Sequence, residues 1–224
     1  MKKQSVFTIK FIAYTGMMTA IVYVCTLIGI PFPAFNFNIG DSAILICGAL
    51  FNPVSAMIAG GLGSFLADLT TYPATMLYTL VIKAIEGLVA GLILQAIYKW
   101  YDKVETPDKK RFALKVVFAV LTCLGCSLFM ACGYFICKAF MYGTIESALT
   151  SLPKNVLQAV VSTLLASLAL YAARLEKMRP KTYMSLLRSF KETRPRQQND
   201  EVKTQDEIIV LDDDEPCDKQ DEQE

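Results

Sequence analysis

Histidine is absent from the chain. That removes His-ligated metal sites, Ser-His-Asp triads and Cys-His dyads, and with them most hydrolase and metalloenzyme chemistry. There is also no G-x-x-x-x-G-K-[ST] phosphate loop, so the chain is not itself a P-loop ATPase. Charge is sparse: acidic and basic residues make up 19% of the sequence, and from Phe11 to Tyr98 the only ones are Asp41, Asp68, Lys83 and Glu86. Such a stretch cannot coat a water-facing surface. The 7 cysteines mostly fall inside apolar runs, where a thiol is a small buried hydrophobe. Cys123 and Cys126 form a C-x-x-C, but zinc needs a second pair and a redox pair needs an exposed helix start. No catalytic residue, metal site or cofactor is expected.

What the sequence does contain is apolar: 54% hydrophobic residues over 224 positions, with mean hydropathy +0.39. Both values point to a membrane protein. The net charge of +1 conceals a segregation. Residues 1–196 hold 20 of the 22 Lys and Arg and 9 of the 21 Asp and Glu, whereas residues 197–224 hold 2 and 12.

A helix rising 1.5 Å per residue needs roughly 20 apolar residues to cross about 30 Å of hydrocarbon. Six crossings are expected, at about Phe7–Ile30, Ser42–Phe51, Pro53–Leu69, Ala74–Tyr98, Phe112–Met141 and Pro153–Ala173. The second and third are too long together for one span, so Asn52-Pro53 is read as a tight hairpin. Lys2, Lys3 and Lys10, then Lys99 to Lys115, then Arg174 to Lys181 flank the first, fourth, fifth and sixth spans. Only an even count keeps these clusters on one side, so both termini are expected in the cytoplasm. The expected fold is an all-α membrane domain over residues 1–178. Residues 179–224 follow as a cytoplasmic tail, basic then acidic and largely disordered.

Small residues recur at helical spacing: Gly16 and Ala20 on the first span; Ala56, Gly60, Gly63, Ser64 and Ala67 on the third; Ala84, Gly87 and Gly91 on the fourth. In lipid such stripes let backbones approach. Packing within the bundle is the expectation for the third and fourth. For the first, internal packing and an intersubunit face stand equal.

Polar residues at bilayer depth need a reason, since each charge costs about 2.5 to 3.5 kcal/mol on insertion scales. Lys83 and Glu86, three apart, share a face. They either neutralise one another and brace the bundle or present charge to a polar ligand in an outward cavity. A helix is expected to start at Ser151-Leu152-Pro153, with Ser151 as cap and Pro153 in the first turn. Asn155 and Gln158 then lie on one face, either bonding helices together or contacting a ligand. The segment Pro31–Asp41, with three Phe plus Asn36 and Asn38, reads as an interfacial loop or a lid.

In order and spacing, several of these motifs resemble one family. They are Gly40-Asp41, the glycine-rich Pro53–Asp68 run, K-x-x-E-G-x-x-x-G over Lys83–Gly91, Gly133-Tyr134-Phe135 and P-x-N-x-x-Q over Pro153–Gln158. Together they resemble the substrate-binding S component of an energy-coupling factor (ECF) vitamin importer, riboflavin type, over about residues 7–175. The resemblance implies six helices and a vitamin held in an outward pocket capped by the loop after the first helix. It also implies energy supplied by a transmembrane coupling subunit and two ATPases. The substrate-binding residues it implies are Asn36, Asn38, Asp41, Lys83, Glu86, Tyr134, Asn155 and Gln158. The docking residues are Ala13, Gly16 and Ala20, although Ala13 is followed four later by Met17 rather than by a small residue. Riboflavin suits large apolar walls with a few polar contacts; a thiamine precursor or a pyridoxine-like vitamin suits the Lys83/Glu86 pair equally. The implied location is the bacterial plasma membrane, with the lipid bilayer as surroundings and no nucleic-acid partner.

Two readings of another class remain at this level: a stand-alone secondary transporter or channel, against which no inverted repeat is evident, and a membrane scaffold working through its tail. In the tail, Leu186, Leu187 and Phe190 suit a basic amphipathic segment on the inner leaflet or plain disorder. The run Glu207–Leu211 beside Asp212–Glu215 resembles a strand-adding peptide, most simply by chance.

Overall fold

The computed structural model describes residues 2–32, 35–103 and 108–178, within the compact unit Met1–Arg179. The expected tail, with its amphipathic and strand-prone runs, lies outside the described residues. Helices dominate, because in hydrocarbon only a helix satisfies its own backbone without a partner strand. In chain order they are α1 (Lys2–Leu27), α2 (Gly40–Leu50), α3 (Pro53–Thr71), α4 (Met76–Asp102), α5 (Lys109–Tyr142) and α6 (Ile145–Ser167). A π-helical turn, Leu168–Ala172, prolongs α6, and a 3-10 turn, Leu175–Met178, follows it. Between α1 and α2 the chain pairs with itself as an antiparallel hairpin, β1 (Gly29–Phe32) and β2 (Phe35–Asn38), with Pro31 opposite Asn36.

Among the described residues, four helical stretches are long and apolar enough to cross a membrane: α3, α4, α5 and Ile145–Ala172. Two shorter apolar segments, Phe11–Leu27 and Gly40–Leu50, complete the set. At 1.5 Å per residue α2 rises only about 16 Å. Its end is therefore buried inside the bundle, where its last carbonyls need donors from elsewhere. Gln95 of α4 provides them: its Nε2 donates to the carbonyls of Gly48, Ala49 and Phe51, each at 3.1 Å. Asn52 then caps α3, its Oδ1 accepting from the N–H of Val54 at 2.6 Å, and Pro53 takes the first helical position. The tight turn expected at Asn52-Pro53 is present.

The small-residue stripes of α3 and α4 pack as expected. A Cβ on Gly87 would sit 2.3 Å from the Ala56 carbonyl oxygen, and one on Gly60 would sit 2.8 Å from that of Lys83. The backbones of α3 and α4 therefore touch directly. On α1 the outcome differs: Ala13, Gly16 and Ala20 are exposed, and a Cβ on Gly16 would meet nothing within 4 Å. Internal packing is excluded for that stripe. Of the cysteines, Cys47, Cys123 and Cys126 are buried and Cys132 is exposed.

The expected start of α6 is corrected. The helix begins at Ile145, because Gly143, in the left-handed conformation at φ 66°, closes α5 and turns the chain at once. Ser151 is an interior residue whose hydroxyl donates to the Ala148 carbonyl at 2.8 Å. Pro153 lies inside the helix, where its missing N–H gives up the bond to the carbonyl four residues back.

The two ends of the bundle differ in charge. Lys115 of α5 pairs with Glu176 beyond α6 at 2.8 Å, and Tyr98 of α4 meets Tyr171 through their hydroxyls at 3.4 Å. These contacts gather Lys99, Lys103, Lys109 to Lys115, Arg174 and Lys177 at one end. The end of α1, the start of α2, the α3–α4 turn and the α5–α6 turn lie at the other.

Candidate substrate-binding site

At the end away from that cationic cluster lies a cavity of about 670 Å³. Its wall is drawn from the end of α1 (Thr26), β2 (Asn38), α3 (Ser64, Asp68), α4 (Thr79, Lys83), α5 (Tyr134, Lys138) and α6 (Lys154, Asn155, Gln158). Every helix except α2 contributes directly, and α2 contributes from behind.

The floor is built around Lys83. Its ammonium donates to Asp41 in the first turn of α2 and, at 3.1 Å, to Oε2 of Glu86 one turn further along α4. The second Asp41 oxygen accepts from Gln158 Nε2 of α6 at 2.9 Å, and Glu86 Oε1 accepts from the Ser127 hydroxyl of α5 at 3.3 Å. Four helices thus meet at one cation and two carboxylates, all of them buried. In a low-dielectric interior such a group holds only when each charge and lone pair is answered. Sequence spacing identified the Lys83–Glu86 pair but not its third member, because Asp41 is 42 residues from Lys83.

One side wall carries a second chain of hydrogen bonds. The Tyr134 hydroxyl donates to Thr79 Oγ1 at 2.9 Å, and the Thr79 hydroxyl donates to Asp68 Oδ2 at 2.5 Å. Lys83 Nζ lies 5.8 Å from the centre of the Tyr134 ring. Asn38 Oδ1 accepts from the Gly40 N–H at 3.1 Å, fixing the entry into α2.

Of the expected contact residues, Asn38, Lys83, Tyr134, Asn155 and Gln158 line the cavity, and Asp41 sits behind its floor. Glu86 faces the other way as well, bordering an apolar groove between α4 and α5 with Val89, Ile93, Phe118 and Phe129. The Asn36 side chain lies outside the described residues. Sequence reasoning missed Thr26, Ser64 and Thr79, whose small hydroxyls are common packing residues in membrane helices and carry no spacing signal. Three buried polar atoms on the cavity wall, Thr26 Oγ1, Ser64 Oγ and Asn155 Nδ2, have no hydrogen-bond partner among the described residues. Four further unpartnered buried atoms, Arg111 Nε, Ser162 Oγ, Thr163 Oγ1 and Ser167 Oγ, belong to residues outside the cavity lining.

A family model for the S component of ECF-type riboflavin transporters matches residues 6–175. The chain belongs to that family. S components are membrane subunits of vitamin importers and are not enzymes. The chain is also similar to a protein of Pyrococcus woesei, described as an uncharacterized protein in gap 3'region. The two are 33% identical over 143 residues, covering 63% of this chain and 85% of that protein. The matched stretch of the family model contains α2 to α6 whole and nearly all of α1, so every residue around the cavity falls within it. As an S component of an ECF importer, the protein acts in vitamin uptake with an ECF module and sits in a membrane as a multi-pass protein.

Proposed function

We propose that the cavity is the vitamin site of this S component and that its cargo is of riboflavin type. The observation that carries the reading is the set of unpartnered Thr26, Ser64 and Asn155 atoms around a void of about 670 Å³. That volume lies inside the usual range for small-molecule pockets, roughly 300 to 1,000 Å³. Asn155 and Tyr134 would contact the vitamin, and Gln158 and Lys83 would present their edges to it while held by Asp41 and Glu86. Asn36 and Asn38, on the hairpin after α1, would close over it.

In this reading all six helices cross, α2 and α3 as the shorter pair, with both termini in the cytoplasm of a bacterial cell. The cationic end then faces inward by the positive-inside rule, which leaves the cavity open to the outside. The membrane domain is residues 1–178, and residues 179–224 form the cytoplasmic tail. Ala13, Gly16 and Ala20, left bare on α1, would meet a coupling subunit driven by two ATPases.

A thermal-shift screen of the full-length protein in detergent against the B vitamins tests this. A ligand at 100 times its Kd adds about 2.7 kcal/mol to stability, a readily measured rise in Tm. A flavin is expected to give the largest rise. No response to any vitamin, with normal vitamin uptake in a deletion strain, would falsify the reading.

A further inference from the structure

The mouth of the cavity carries positive charge with little to answer it. Lys138 of α5 and Lys154 of α6 both line the void and are both half-buried. Among the described residues neither makes a salt bridge; the ion pairs there join Lys83 to Asp41 and Glu86, and Lys115 to Glu176. Lys154 is held over the Tyr72 ring, its Nζ 5.7 Å from the ring centre, and Asp68 is the carboxylate that lines the same cavity. Asp68 already gives one oxygen to Thr79. The mouth therefore has two cations against one partly committed carboxylate. Beside Lys154, the free Asn155 Nδ2 adds an unused donor on the same wall.

A lysine near the end of a membrane helix ordinarily extends to the water interface. Two lysines that line one cavity instead repel each other, and that repulsion is relieved by a negative group between them. The floor offers no such place, because the Lys83 ammonium is already committed to two carboxylates.

We propose that Lys138, Lys154 and Asn155 Nδ2 form an anion-binding element at the mouth, so that among ligands of one ring system this chain prefers the member carrying an ionised acidic group, a phosphate ester or a carboxylate. The inference rests on the cavity being the vitamin site. An acidic ligand group accepts charge-assisted hydrogen bonds from both ammonium groups and a neutral one from the amide, while its ring system lies inward against Tyr134 and the floor. A neutral vitamin of the same ring system loses the charged contacts only.

The test uses matched neutral and anionic probes on the full-length protein in maltoside detergent, which contains no phosphate. Riboflavin is paired with riboflavin 5′-phosphate, pyridoxine with pyridoxine 5′-phosphate, and nicotinamide with nicotinate. In at least one pair the anionic member is expected to bind about tenfold tighter, a preference that weakens as salt rises. Which pair responds separates phosphate from carboxylate. Lys154→Gln and Lys138→Gln should each lower the ratio of anionic to neutral affinity, and Lys154→Arg should keep that ratio and report that the fold is intact. Equal binding of both members of every pair overturns the anion element but not the cavity. Binding of no probe overturns the cavity reading and this inference with it. Repeating the titration in phosphatidylglycerol nanodiscs distinguishes the remaining source of anion: loss of the preference there would assign the lysines to lipid headgroups and overturn the proposal.

Discussion

Among the described residues two lysines are buried, one near each end of the bundle, and they are held in opposite ways. Lys83, on α4 beside the cavity, is met by charge: Asp41 from α2, Glu86 from its own helix, and Gln158 and Ser127 behind them. Lys115, on α5 at the cationic end, is met mostly by rings. Its Nζ lies 4.1 Å from the centre of Tyr101 and 4.7 Å from that of Phe112, with Tyr98 and Tyr171 each at 5.8 Å and the Glu176 carboxylate at 2.8 Å. The rings and the carboxylate enclose the lysine, whose side chain is 4% exposed. The carboxylate group at Lys83 lies under a cavity. A cation placed to be fastened is wrapped in faces, whereas a cation placed to shape a site is wrapped in groups that can also turn outward.

The largest expected effect breaks the first of these. Lys83→Met leaves Asp41 and Glu86 buried with no cation between them, and removing one member of a buried ionic group destabilises by about 3 to 5 kcal/mol. Little folded protein should survive extraction, as judged by size-exclusion chromatography. If Lys83→Met were as stable as the parent, the floor would not be an ionic group at all.

Next comes Asn155→Ala, which should separate binding from folding. Its Nδ2 has no partner to lose, so the Tm of the unliganded protein should change little. Vitamin affinity should fall about ten- to a hundredfold, the usual range for a lost hydrogen bond at a buried site. Calorimetric titration beside a melting curve reads both. A fall in Tm with unchanged affinity would return Asn155 to the role of a bond between helices.

Lys115→Gln should give the mirror image. Cation–π contacts are worth about 0.5 to 2 kcal/mol, and the glutamine keeps a donor for Glu176, so a loss of about 1 to 2 kcal/mol is expected with unaltered vitamin affinity. A change in affinity at that distance would mean that the two ends are coupled.

How much of this contrast the sequence carried depends on how far apart the partners lie along the chain. Spacing alone was enough for Lys83 and Glu86, three residues apart on one helix, and for the glycine stripes that let α3 and α4 touch. Hydropathy and flanking cations were enough for the helices and for the charged end. Contacts across helices were not legible. Asp41 reaches Lys83 only because α2 is short and enters the bundle beside α4, and Gln95 is needed only because α2 ends inside it. The start of α6 was misjudged because Ser-x-Pro is a strong local signal for a first turn, while the determining feature, a left-handed Gly143, lies eight residues earlier. The Lys115 box was invisible for the same reason as Asp41: its rings come from three separate segments.

The smallest effect is expected from Glu176→Gln. Glu176 pairs with Lys115, yet its side chain is 19% exposed where that of Glu86 is fully buried. Water therefore screens part of the attraction, and neutralising an ion pair at such a position usually changes stability by less than about 1 kcal/mol. The four rings remain, and Gln still accepts a hydrogen bond from Nζ. Melting curves in low and high salt should nearly coincide for the variant and differ slightly for the parent. If Glu176→Gln instead destabilised the protein as severely as Lys83→Met, the rings would be bystanders, and both buried lysines would be held by carboxylates alone.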